Sequence, residues 1–378
     1  MASAGDIHRA KNGKAAWNAW ATTERQASRA TAVDFSGMQG EATDFAGFDF
    51  PGPANFRNAV FAEPASFSGA TFRGDALFSG AIFHADVSID RVSFERDVDF
   101  RRVQFKKHAY LVHDGFRGFV SFEGAKSENL ALSGSDFHSE ANFDRAWFNY
   151  SEFTGVTFKH SLTRFNGVVF ERVPDYRAVT FKAPPLIQGI DVRYAKYSGP
   201  KFWRRWALCA AGEDDAAKFR RLKQLASDWR DHERELEFFA KELRAKRFHE
   251  TRGCGAILLN LAYGGPSNFG RSVARPVCWL VLLTLFAAVP TVLQHWPRWE
   301  AMTGRIEPAL VLSATDAALL LGSDKWGIRG DACDALYGAK CNFSLGVGIL
   351  AYAQSAVSLF LLFLVGLGLR NRFRTGSA

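Results

Sequence analysis

From Ala54 to about Phe181 the apolar positions recur on a beat of five or six residues, each large side chain preceded two places earlier by a small one. Phe56, Phe61, Phe67, Phe72, Phe78, Phe83, Phe94, Phe100 and Phe105 are the large members. Ala54, Ala59, Ala65, Ala70, Ala76, Ala81, Val92, Val98 and Val103 stand two places before them, and Ile89 with Val87 fills the remaining beat. Steps of five and six alternate, a pattern that neither the helical 3.6 nor the strand 2.0 period describes. Such a chain turns a corner about every five residues and sends one large and one small side chain inward per side. Neither buries its apolar face alone, so successive coils must stack and share a core. The beat continues more loosely through Leu111, Phe116, Phe122, Leu132, Phe137, Phe143, Phe148, Phe153, Phe158, Phe165, Phe170 and Phe181. One extra residue at alternate corners gives about 22 residues per coil and about seven coils, a rod of roughly 34 Å at strand spacing.

Other patterns flank the beat. Residues 1–32 predict an N-terminal helical cap, with Trp17 and Trp20 on one face able to close the first coil. The solenoid is expected over 33–183, irregular at first, with Gly40 on a beat that should carry Phe and Pro51-Gly52-Pro53 shifting the register. It is expected to stop at Ala183-Pro184-Pro185, and 184–270 to form a cap and helical linker. Phe202, Trp203 and Trp206 belong to that cap. One long helix is predicted from Glu213 to His249, with acids at its start, Lys246 and Arg247 at its end, and a stripe of Phe219, Leu222, Leu225, Trp229, Leu236, Phe239 and Leu243. A short amphipathic piece, Ile257 to Tyr263, should break at Gly264-Gly265-Pro266. Residues 271–378 then form a membrane domain, with uncharged apolar runs at about 276–293 and 345–369 long enough to cross a bilayer. Between them, 308–321 reads as a short re-entrant or interfacial helix, starting with Pro308 and ending at Gly322.

The density of the beat resembles the pentapeptide-repeat family. That resemblance implies a β-solenoid, a right-handed quadrilateral β-helix whose centre residues, here mostly Phe, line the interior. Trp17-Asn18-Ala19-Trp20 just ahead of the repeats is similar to other such proteins. Asn268-Phe269-Gly270-Arg271-Ser272 and the closing Gly-Leu-Gly-Leu-Arg-Asn-Arg-Phe-Arg resemble membrane-anchored members with a C-terminal two-span region. Span, short helix, glycine-bearing turn and span also resemble the layout of two-span cation channels. The Thr-Val-Gly-Tyr-Gly carbonyl ladder is missing, however, and Lys325 stands in the turn, where it would repel cations.

Composition sharpens this picture in three ways. The chain has 378 residues, 35 of them Phe, and the repeat accounts for most of that excess. Its net charge of +8 is concentrated after Lys182 and at the C-terminus, which points to an anionic membrane surface or to nucleic acid. Evenly mixed charge along the rod disfavours nucleic-acid mimicry. No secretory signal opens the chain, so the rod is expected in the cytoplasm. Arg271 and Arg275 before the first span, and Arg370, Arg372 and Arg374 after the second, place both termini on the cytoplasmic side of the inner membrane. Cys333 and Cys341, in the outside loop, are expected to pair, while Cys209 and Cys254 stay reduced and Cys278 sits in lipid.

No catalytic constellation emerges: there is no phosphate loop, nucleophile elbow or metal-ligand spacing. His84, His108, His113, His138 and His160 read as solvated surface, and His232-Glu233-Arg234-Glu235-Leu236 lacks the second His of a zinc site. No cofactor is expected. The leading expectation is a non-enzymatic, membrane-tethered protein whose cytoplasmic β-helix is an interaction or sensing platform for an unidentified protein, held by lipid and assembled with its own copies. The alternative is a small oligomeric channel. Gln354, Ser355 and Ser358 in the second span, and Asp316 in the short helix, are the candidate pore or subunit-contact residues.

Overall fold

A computed structural model describes residues 2–39, 44–196, 210–293, 299–317, 327–338 and 345–375. The chain divides into two compact units, Met1–His249 and Glu250–Ala378. The first is a β-solenoid of about seven turns followed by a helical hairpin. Its strands are mostly two residues long and pair in parallel with the strand one coil away, Ala54 with Ala76, Ala76 with Val98, Val98 with Val120. Most strand pairs bridge 22 residues, as the alternating beat requires, or 21 where two five-residue steps adjoin.

The beat phenylalanines stack in columns. Along one column Phe35, Phe56, Phe78, Phe100, Phe122, Phe143 and Phe165 follow at centroid spacings of 4.7–5.1 Å. Along another, Phe50, Phe72, Phe94, Phe116, Phe137, Phe158 and Phe181 follow at 4.4–5.0 Å. Strand spacing sets this distance, so parallel ring stacking costs no adjustment of the backbone. All nine of the beat phenylalanines from Phe56 to Phe105 are buried.

Two kinds of corner explain why five and six alternate. After Phe56, Phe67, Phe78, Phe100 and Phe122 the chain takes a tight corner through a left-handed residue, Asn58, Gly69, Gly80, Arg102 or Gly124. The following step has no left-handed residue and, except from Ser127 to Leu132, which is again five, spends one extra residue instead. At some of these wider corners coils touch backbone to backbone: a Cβ on Gly74 would lie 2.3 Å from Pro53 N, and one on Gly118 2.4 Å from the Arg96 carbonyl carbon. At one corner the strands Gln104–Val112, Lys126–Ala131 and Trp147–Glu152 run straight through, the first with one extra residue that shifts its register. Two sides thus merge, and the solenoid has three sheets, of seven, seven and nine strands.

The interior is not wholly apolar. Ser127 stands on a beat position between Phe105 and Phe148, buried with no hydrogen bond to its Oγ. Asp114, 1% exposed, takes an inward position; its Oδ1 accepts from Val92 N at 2.7 Å while Oδ2 has no partner. Burial drives its carboxyl up to about 9, more strongly than the Val92 N–H lowers it, and the neighbouring Asp90 charge adds to the rise.

Both ends are closed. Helices α1 (Ala4–Lys11) and α2 (Gly13–Gln26) cover the first coil. Trp17 is fully buried, stacks on Phe48 at 5.3 Å and donates from Nε1 to Asp49 O. Asn18 donates to Gly47 O and accepts from Asp49 N, so its amide satisfies the open strand edge as a further coil would. Trp20 is only partly buried, under the Arg9 guanidinium.

The far end departs from expectation twice. The repeat does not stop at Ala183: Pro184-Pro185 forms a corner and the coil goes on, Ile187, Ile190 and Val192 filling the interior and Asp191–Val192 pairing with Val169–Phe170. Nor does one helix run from Glu213 to His249. The chain folds into α3 (Asp215–Asp228) and α4 (His232–Ala245), because Arg230 is left-handed and the Asp231 side chain caps α4 by accepting from Arg234 N. The turn resets the helical phase, so Phe238, not Phe239, is buried with Phe219, Leu222 and Leu225 in the solenoid's core cluster. Glu242 crosses the hairpin, 2% exposed, bonded to Arg220, Lys223 and Lys246. Burial pushes its carboxyl up, but the hydrogen bonds from Lys223 and Lys246 outweigh that and hold it below its ordinary value. Gly40 and the Phe202, Trp203 and Trp206 segment lie outside the described residues.

The second unit is helical: α5 (Cys254–Ser267), α6 (Ala274–Leu293), α7 (Trp299–Ala317), α8 (Ile328–Tyr337) and α9 (Leu345–Thr375). Gly264-Gly265-Pro266 does not break α5. Proline forfeits only one bond in a last turn, and the helix ends instead where Asn268 turns left-handed. Pro308 does not start a helix either: α7 begins at Trp299 and carries Pro308 inside. Residues 318–321 and the glycine-bearing turn through Trp326 lie outside the described residues.

Candidate functional site: a polar seam inside an apolar helical unit

Helix α9 supplies the frame of the site. From Leu345 to Arg374 it is long and apolar enough to cross a membrane, with mean hydropathy 2.0 and only 33% of its most apolar window buried. It is the one described helix that meets this standard, because the uninterrupted apolar stretch of α6, Ala274–Pro290, is shorter. The expected pair of spans is therefore reduced to one clear case and one shorter apolar helix.

The polar residues of α9 turn inward. Gln354, Ser355 and Ser358 are buried in the same unit as Ser313 and Asp316 of α7. Gln354 Nε2 donates to Ser313 O at 2.7 Å and lies 2.8 Å from Ser313 Oγ, which itself donates to Thr284 O on α6 at 2.7 Å. Ser355 Oγ lies 2.7 Å from Asp316 O and 2.9 Å from Ala351 O. Asp316 accepts from Arg329 Nε on α8 at 2.8 Å. A seam of hydrogen bonds thus joins α6, α7, α8 and α9. Ser358 is fully buried and its Oγ has no partner.

The seam accounts for why these residues occur in so apolar a unit. A buried amide or carboxylate without partners costs several kcal/mol, so each polar group specifies which neighbour must lie against it. All four sequence candidates, Asp316, Gln354, Ser355 and Ser358, fall in this region. Thr284 and Arg329 were missed, although a lone carboxylate in an apolar stretch demands a cation, and Arg329 is the nearest arginine following Asp316. Cys333, on α8, is disulfide-bonded and buried beside Ala332 and Leu336; Cys341 lies outside the described residues, as does Cys209. Cys254 and Cys278 are free.

Among the described residues no group of three or more His, Cys, Asp or Glu is placed to hold a metal ion. The solenoid's surface grooves are shallow and charged, such as the one lined by Asn58, Ser79, Arg101, Arg102 and Glu123. Asp99 and Arg101 already pair beside it at 2.8 Å.

Residues 45–93 and 69–113 match the family model of pentapeptide repeats. The matched stretch lies within the phenylalanine columns, which continue beyond it through Phe143, Phe158, Phe165 and Phe181. No curated protein and no solved structure matches the chain. The helical unit, lying outside the pentapeptide repeats, is read from its own residues.

Proposed function

We propose that this is a non-enzymatic, membrane-tethered platform: the pentapeptide-repeat solenoid presents rigid, charge-patterned sides to a partner protein in the cytoplasm, and the helical unit holds it to the inner membrane. One observation carries this reading. Among the described residues, every large hydrophobic side chain left exposed lies in Glu250–Ala378, except Tyr110 and Tyr150. Val277, Trp279, Leu282, Leu285 and Phe286 on α6 and Ile349, Tyr352, Phe360 and Phe363 on α9 are among them. Apolar outside and hydrogen-bonded inside is the arrangement that lipid selects and water penalises. It supports α6 as a second span beside α9, since flanking residues extend its apolar length. The arginines at one end of each helix support a topology with both termini in the cytoplasm.

The polar seam supports helix packing over pore lining, because Gln354 and Ser355 find their partners within one chain. A channel would need a ring of copies, and the particle mass in mild detergent decides that: a monomer excludes it. Membrane tethering is tested by washing membranes with alkaline carbonate. The protein should stay in the pellet, and release into the supernatant would end this reading.

A further inference from the structure

Helix α5 is not explained by a two-span anchor. Its 14 residues, Cys254–Ser267, carry no charge, yet Leu258 and Leu259 are 67% and 72% exposed. At 1.5 Å per residue it spans about 21 Å, too little for a hydrocarbon core of about 30 Å. We propose that α5 lies along the membrane surface as a third contact, its leucines at the acyl boundary, at the arginine-bearing end of α6 and α9. The proposal rests on the membrane reading above.

The geometry at its C-terminal end fixes where α5 must be. Asn268, Phe269 and Gly270 are left-handed in succession, with φ of 52°, 58° and 78°, so the chain reverses sharply between α5 and α6. Phe269 is fully buried, with its ring edge-on to Tyr263 at 5.4 Å. Gly270 N donates to Ser267 Oγ, and Asn371 Nδ2 donates to Gly270 O at 3.1 Å. A Cβ on Gly270 would fall 2.9 Å from the Asn371 amide and 3.0 Å from the Tyr263 hydroxyl, so the corner is closed against that end of α9.

Asn371 stands between Arg370 and Arg372, and Arg271 and Arg275 follow the corner itself. Among the described residues no carboxylate pairs with Arg271, Arg275 or Arg370. A bilayer containing anionic phospholipid meets both needs at one level: phosphates for the arginines, and the boundary about 5–10 Å below the surface for the leucines.

The test uses the full chain in vesicles of phosphatidylcholine and phosphatidylglycerol, with Cys209, Cys254 and Cys278 changed to serine. A fluorophore is attached to Leu258→Cys or, separately, to Leu282→Cys on α6; both positions are exposed, so neither change disturbs packing. Nitroxide lipids labelled near the headgroup should quench the Leu258→Cys probe about threefold more than lipids labelled at the chain end, with the reverse at Leu282→Cys. If Leu258→Cys is quenched only by a water-soluble agent while Leu282→Cys sees the chain ends, the surface helix is wrong and the membrane reading stands. Chain-end quenching at Leu258→Cys would also overturn it, by immersing α5. Water-soluble quenching at both positions overturns the membrane reading and this inference together.

Discussion

The two units of this chain solve opposite problems with the same rule. In the solenoid, phenylalanine rings are stacked out of sight and Asp, Arg and Lys side chains face outward, paired across coils as in Arg73 with Asp49 and Glu95. In the helical unit, leucine, valine and phenylalanine face outward and Ser313, Asp316, Gln354 and Ser355 are hidden. On the membrane reading proposed above, each hides what its surroundings would penalise, and the contrast reports the solvent as directly as it reports the fold. It also locates the weak points of each unit: a polar group inside the first and a missing polar partner inside the second.

The largest effect is expected from Phe122→Ala. Phe122 stacks between Phe100 and Phe143 at 4.8 and 5.0 Å, and its loss should cost about 3–5 kcal/mol, read as a lower denaturant midpoint of the strand signal. A midpoint unchanged would mean that the columns are ornament. In the other unit, Arg329→Met strands the buried Asp316 carboxylate and should lower stability by about 3 kcal/mol, followed by helical ellipticity on heating in detergent. Arg329→Lys should recover part of it; equal loss in both would deny a role to the charge.

Gln354→Leu removes the donor that joins α9 to α7 and should cost about 1–2 kcal/mol in the same assay, without changing helix content. The solenoid's counterpart is Asp114, which keeps its proton up to about pH 9 when folded and loses it near 3.8 when unfolded. The folded state thus holds the extra proton. Its contribution to stability is complete below about pH 4 and drains as pH rises toward 9, by at most about 1.4 kcal/mol per pH unit. Asp114→Asn should flatten that slope between pH 5 and 8, and an unchanged slope would assign it to other groups. Smallest of all, Phe286→Ser on the exposed face of α6 should shift helical stability in detergent by less than about 0.5 kcal/mol. The same change in Phe122 would not be tolerated.

How much of this was legible in the chain follows from the range of the interactions concerned. The beat is local and repeated, so each coil announces itself through Phe and a small residue two places earlier, and the stacked columns are its direct consequence. The single helix expected over Glu213–His249 failed because one residue, Arg230, takes a left-handed conformation that the stripe of apolar residues does not reveal. Ser127 escaped notice for a related reason: a single polar residue on a beat position looks like a skipped beat. In the helical unit Asp316, Gln354, Ser355 and Ser358 stood out because polar groups are rare in apolar runs, but Arg329, which pairs with Asp316, and Thr284, whose carbonyl holds Ser313, lie on other helices.

The amino-acid sequence alone determined that a phenylalanine-cored coil must stack on copies of itself, because that apolar pattern has no other way to leave water. It also determined that two long uncharged apolar runs lie near the C-terminus. Only the tertiary structure decided that alternate corners are left-handed, that Asn18 stands in for a missing strand, and that Gln354 bonds Ser313. Those outcomes depend on which backbone groups are left open once distant segments meet. No residue carries that information by itself.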